Sequence, residues 1–228
     1  EAKLAYVYLD RVGRVNDATI NVAGHLLHTS WKVSGSEFTA YGYFIQNQTQ
    51  PTLSARTLGL RYTGERNVRL AWQASWTLEA ADQGPYQGSD AFVSAHYTFA
   101  EIALAHRKFN LRLGGELLSG NGHYGFATPF ATLHAFNGWD DKFLTTPPDG
   151  LRDLYLGAAA SIEPVKLVLI AHRFSADLGG LHYGDEFDAS ASVPFDKHWT
   201  GLLKAARYRA DGLARDTEKL WLSLEFKL

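Results

Sequence analysis

Glu186 and Asp188 lie two residues apart, Asp140 and Asp141 are adjacent, and nine histidines are scattered along the 228-residue chain. Two carboxylates at i and i+2 share one face of a strand, a disposition that could serve a carboxylate dyad or a calcium ion. Neither pair stands among the further partners such chemistry needs. The sequence has no HExxH, no GxSxG and no glycine-rich phosphate loop. Ser94 and His96 have the residue types of a lipase nucleophile and base, but no recognisable third member accompanies them. With no cysteine, disulfides and thiolate metal sites are excluded. These residues read as charges that line a wall, in a protein that is not an enzyme and is expected to hold no metal and no cofactor.

The elements that would position them are strands. Alternating segments are expected at 3–10, 25–33, 37–46, 56–63, 68–78, 91–106, 109–118, 151–162, 166–174, 184–193, 199–209 and 217–228, about twelve in all. The pattern is clearest at the end of the chain, where Leu220, Leu222, Leu224, Phe226 and Leu228 share one face and Lys219, Trp221, Ser223, Glu225 and Lys227 the other. It recurs in Phe109, Leu111 and Leu113 against Asn110, Arg112 and Glu116. In the segment 91–106 the alternation slips, as it would at a bulge.

Alternation leaves two arrangements open, a soluble sandwich with the oily face in a core, or a membrane barrel with that face in lipid. Short and long connections alternate along the chain, as they do when turns lie on the periplasmic side and loops outside. Aromatic residues make up 13% of the sequence, and Tyr6, Tyr8, Trp31, Trp76 and Trp199 fall where interfacial girdles place them. Both features favour the barrel. No apolar run approaches the roughly 20 residues of a membrane helix. A net charge of −2 without a basic run argues against nucleic acid as a partner. The chain opens Glu1-Ala2-Lys3, with no basic-then-apolar leader, which reads as a start downstream of any secretion signal.

One stretch, 120–153, fits neither period. Its prolines Pro129, Pro147 and Pro148 stop strand and helix alike. Its aromatics, Phe126, Phe130, Phe136, Trp139 and Phe143, are too many for a solvated loop. Such a segment is expected to pack against or inside the rest of the molecule.

The run FATPFATLHAFNGWDDKFL at 126–144, followed by Thr146-Pro147 and Gly150-Leu151, resembles the signature segment of the alginate-export-domain family of outer-membrane proteins. So do Gly115-Glu116-Leu117-Leu118, the YGDEFD run at 183–188 and the DTEKLW run at 216–221. The resemblance implies a monomeric antiparallel transmembrane β-barrel in the bacterial outer membrane, surrounded by lipid, that passes anionic polysaccharide or related saccharides by passive diffusion. Members of that family have about eighteen strands, so these twelve would be the C-terminal part of a larger barrel, or would close a narrower one, since diameter grows with strand number.

On this reading residues 1–228 form a single barrel domain with a lumen-associated outer loop at 119–150. The lumen receives Arg61, Arg69, Arg112, Glu116, Asp153, Tyr155, His172, Glu186, Asp188, Lys204, Tyr208 and Lys219. Arg61, Arg69, Arg112 and Lys204 would form a conduit for carboxylates. The loop would constrict the channel near His134, Asn137, Trp139, Asp140, Asp141 and Lys142. The competing expectation is a structural or ligand-binding barrel whose lumen the 120–153 segment occludes.

Overall fold

The computed structural model of the protein describes residues 1–13, 19–69, 71–129 and 137–227. Twelve strands follow one another in the order β1 (Ala2–Gly13), β2 (Thr19–Val33), β3 (Ser36–Asn47), β4 (Ala55–Asn67), β5 (Trp72–Pro85), β6 (Ala95–His106), β7 (Phe109–Leu118), β8 (Leu151–Ile162), β9 (Val165–Ser175), β10 (His182–Pro194), β11 (Trp199–Ala210) and β12 (Thr217–Phe226). Each pairs antiparallel with its neighbour in sequence, in one sheet ordered β1 to β12. No pairing joins β1 to β12 among the described residues, so both edges are open. With one sheet and no second layer to cover its oily face, the sandwich is excluded and the architecture is the all-β antiparallel barrel wall that the alternation implies.

Connections at one end span two to four residues and at the other five to 32, the longest being 119–150. Side chains facing outward are apolar through the middle of the strands. Leu111 and Leu113, Leu154 and Leu156, and Leu220, Leu222 and Leu224 are all more than half exposed. A continuous exposed apolar band of this kind is stable only against lipid. Near the tight-turn end the outward face turns aromatic. Phe38 stacks on Tyr62 at 4.6 Å, Trp72 on His106 at 4.7 Å, and Trp199 lies 4.8 Å from Phe226. Trp31, Trp76 and Trp199 belong to this girdle, whereas Tyr6 and Tyr8 lie mid-strand in β1.

Several boundaries depart from the sequence pattern, two of them in the way the alternation is broken. Val68, Arg69 and Ala71, expected within the opening of a strand, lie in the β4–β5 turn, with hydrogen bonds from the Val68 amide to the Trp72 carbonyl (2.9 Å) and from the Trp72 amide to the Arg69 carbonyl (3.0 Å). Val68 and Leu70 share the parity of Trp72, so the apolar period ran through the turn unbroken. The slip expected within 91–106 is not a bulge. β6 starts at Ala95, keeps one register with β5 and β7, and leaves the preceding residues in the loop.

The buried apolar cluster sits at the long-loop end. Phe126 and Phe143 of the 119–150 loop pack there with Leu118, Leu151, Phe174, Tyr183 and Tyr208 of the wall. Phe143 is 4.5 Å from Phe174 and 6.3 Å from Tyr208, ring to ring.

Candidate functional site

Inward-facing residues of β7 to β12 meet the loop at 137–143. Asn137 and Gly138 both take the left-handed backbone, φ 55° and 85°, which turns the chain so that two successive amides point at the wall. The Trp139 amide donates to Asp188 Oδ2 at 3.3 Å and the Asp140 amide to Glu186 Oε1 at 2.7 Å. A Cβ on residue 138 would sit 2.6 Å from the Glu186 carboxylate, so glycine is required there on two counts. Glu186 and Asp188 are therefore seats for loop backbone, with 2% and 0% of their surface exposed.

The same interface takes up the other carboxylates. Asn137 donates to Glu116 at 2.6 Å and reaches Asp153 at 3.5 Å, while Glu116 also accepts from the Tyr97 hydroxyl at 2.7 Å. His172 Nδ1 lies 2.9 Å from Asp153, and its Nε2 is 3.8 Å from Asp188. Asp140 is buried beside them, and desolvation raises its pKa above the usual carboxylate range against the opposing pull of Lys219 and Lys142.

The lysines lie on the other side of the segment and keep part of their surface open. Lys219 donates to the Asp140 carbonyl at 2.9 Å and to Asp141 Oδ2 at 2.6 Å. Lys142 bonds Thr217 Oγ1 and lies 5.3 Å from the centre of the Tyr208 ring. Lys204 lies 4.0 Å over the Trp139 ring and 5.2 Å over Trp221, cation–π contacts that hold the ammonium in place. Asp140, Asp153, Glu186 and Asp188 are thus buried between loop and wall, and ammonium groups, with Asp141 paired to Lys219 among them, border the space beside them.

The remaining expected residues fall elsewhere. Arg61 pairs with Glu79 at 2.7 Å, and Glu79 also accepts from Tyr41. Arg112 lies 5.9 Å from the Tyr155 ring, and Tyr155 donates to Glu101 at 2.6 Å. Arg69 is in the β4–β5 turn and is not part of the wall. Tyr208 is fully buried, with its hydroxyl committed to the carbonyls of Tyr183 (2.7 Å) and Leu213 (3.1 Å), so it braces the loop end and lines no path. His134 lies outside the described residues. Of the four basic residues expected to form a conduit, Arg69 lies in a turn, Arg61 is on β4, Arg112 on β7 and Lys204 on β11, and Lys204 is the one that meets the described part of the loop.

Gln83 was not anticipated, because 79–89 reads as a loop, yet it anchors the first half of 119–150. Its amide nitrogen donates to Thr57 Oγ1 (2.9 Å) and the Ala127 carbonyl (3.0 Å), and its carbonyl accepts from the Ala127 amide (2.8 Å) and the Tyr124 hydroxyl (2.6 Å). Burial pushes the Tyr124 phenol up to about 12, so it remains a donor at neutral pH. Extending the inward parity of Gln73, Ser75 and Thr77 to 83 would have found it. Among the described residues no three His, Asp or Glu side chains are arranged to hold a metal ion.

A single meandering antiparallel sheet with a lipid-facing apolar band, an aromatic girdle at its tight-turn end and a long loop inside defines an outer-membrane β-barrel protein. Solved structures of the same fold include OccAB2 of Acinetobacter baumannii, 13% identical with a TM-score of 0.79 over 99% of this chain and 64% of that one. OpdK of Pseudomonas aeruginosa, solved with vanillate, is 9% identical with a TM-score of 0.72 over 99% and 65%. OpdO of the same organism is 13% identical with a TM-score of 0.69 over 99% and 65%. The chain therefore spans just under two thirds of the length of each. No family model matches the sequence, and no curated protein matches it. These neighbours are substrate-specific outer-membrane channels of the OprD type, not alginate exporters, and they overturn the resemblance to the alginate-export-domain family. The residues that carried it meet general demands of an infolded loop: Phe126 and Phe143 fill the barrel end, and Asn137-Gly138 makes the left-handed turn.

Proposed function

We propose that this chain forms most of the wall of a monomeric outer-membrane channel through which small organic anions diffuse passively, and that the segment 137–143 sets its narrowest part. The observation that carries the proposal is the sorting of charge at the loop. Asp140, Asp153, Glu186 and Asp188 have 0 to 3% of their surface exposed, whereas the Lys219 side chain keeps 32% and Lys142 and Lys204 are half-buried. A passing solute meets the ammonium groups. Such groups in a narrow low-dielectric passage raise the local concentration of anions, and the rings of Trp139 and Trp221 beside Lys204 offer a flat apolar surface to the body of an aromatic carboxylate. The vanillate held by OpdK is a solute of this class. A folded polysaccharide has no comparable support, because the described parts of the loop bond Gln83 on β5 and Lys219 on β12 and so occupy the interior near both.

That reach also favours a second reading, a barrel occluded by its loop. Conductance of the full chain in planar bilayers with benzoate on one side separates the two. The channel predicts open current with brief benzoate-dependent blocks that shorten in Lys204→Gln and Lys219→Gln. Blocks equally frequent with benzyl alcohol would reject it, as would silence from a protein whose wall is shown to be closed.

A further inference from the structure

The lipid-facing side of the wall carries a groove of about 480 Å³ across β7 to β11. Its deeper part is walled by Leu154, Leu156 and Phe187, all about half exposed. Its upper rim is charged, formed by Arg173, Asp185, Arg207 and Arg209. Arg173, Asp185 and Arg209 occupy consecutive strands in register, Asp185 facing Arg173 on one side and Arg209 on the other. All four rim residues lie within three positions of the long-loop ends of their strands, or about 10 Å at the rise of a strand.

Charged side chains on a barrel exterior are tolerated at the membrane boundary and costly deeper in, so this rim marks the head-group level of the leaflet on the loop side. The arginines have acidic neighbours, with Arg173 Nε 3.8 Å from Asp185, Arg207 Nε 3.2 Å from Glu218, and Arg209 bridged to Asp216 (2.6 Å) and Glu218 (3.4 Å). Each contact uses one or two of the five donors of a guanidinium. The groove rim has three cations and one carboxylate, with Asp216 and Glu218 pairing Arg207 and Arg209 from beside it. At the opposite end of the wall the exterior is aromatic instead.

We propose that this groove is a docking site for a phosphorylated lipid of the outer leaflet, with phosphate oxygens on Arg173, Arg207 and Arg209 and an acyl chain along Leu154, Leu156 and Phe187. Bidentate Arg–phosphate pairing fits the rim, and the apolar stripe directly beneath it fits a chain that enters from the same head group. The site lies outside the barrel and is independent of what the lumen conducts.

The test uses native mass spectrometry of the full chain in a zwitterionic detergent, with bisphosphorylated lipid A and the same lipid stripped of phosphate as probes. The expected result is retention of the phosphorylated form at least roughly tenfold above the stripped one, a comparison that needs no variant. Arg173→Gln/Arg207→Gln/Arg209→Gln should abolish the difference, and Arg56→Gln, an outward arginine near the loop end of the distant β4, should preserve it. Millimolar inorganic phosphate should leave retention largely intact, because the groove supplies part of the binding. Equal retention of both lipids, displacement by phosphate alone, an unchanged triple variant, or a second copy of the chain in place of lipid would each overturn the proposal.

Discussion

Gly138→Ala tests how the loop is seated. Residue 138 has φ 85°, a conformation that costs an L-residue about 1–2 kcal/mol. The added methyl would also stand 2.6 Å from the Glu186 carboxylate and push it away from the Asp140 amide, which it now accepts at 2.7 Å. Losing a hydrogen bond to a charged acceptor costs about 1.5–3 kcal/mol. Together these weaken the seat by about 2.5 to 5 kcal/mol, roughly 60- to 4,000-fold at 1.4 kcal/mol per decade. Hydrogen exchange at the Trp139 and Asp140 amides reads this directly, since both are held by wall carboxylates. Gly122→Ala is the control. It has φ 84° in the same loop with nothing within 4 Å of its new Cβ, so it carries the backbone strain without the collision and should leave the two amides protected. Equal exchange in Gly138→Ala and the parent protein would refute the seating argument.

Asp140 makes the seat pH-dependent. Burial raises its pKa in the docked loop, so the docked state holds a proton that the undocked state has released between the ordinary carboxylate pKa and the raised one. Docking therefore strengthens as pH falls through that window and weakens as it rises. The protection factor of the Trp139 amide, corrected for the intrinsic pH dependence of exchange, should rise on acidification, and Asp140→Asn should reduce that rise; an unchanged slope in the variant would assign it to other groups. Gln83→Leu should free the first half of the loop, costing about 2–4 kcal/mol by leaving the Ala127 amide and the Tyr124 hydroxyl without their acceptor. Limited proteolysis within 119–129 should accelerate accordingly, and unchanged cleavage would contradict the anchoring role.

The strands were legible because an exterior in lipid and a wet interior impose period two on every one of them. Phe109, Leu111 and Leu113 against Asn110 and Arg112 is enough to orient β7, and the same period carries β8 and β12. Where apolar parity crosses a turn, as at Val68, the period misleads, and Arg69 was put on the wall for that reason. β2 starts at Thr19, six residues before the expected 25, and β5 runs on to Pro85, which hid Gln83 and Glu79. Which carboxylate meets which loop residue was not legible. The Asp140–Glu186 contact joins residues 46 apart, and it depends on the left-handed turn at 137–138, which no periodicity encodes. Aromatic, glycine and proline content marked a segment that packs on the rest of the molecule, as Phe126 and Phe143 do; the same content misled on family, because any packed loop of this kind needs it.

The most direct test of the central claim is the reversal potential of the full chain in a planar bilayer under a tenfold KCl gradient. If the ammonium groups of Lys142, Lys204 and Lys219 border the path while the carboxylates stay buried, the potential has the sign of chloride selectivity and moves toward zero in Lys204→Gln/Lys219→Gln. Cation selectivity in the parent protein would place the carboxylates, not the lysines, on the path and contradict the account.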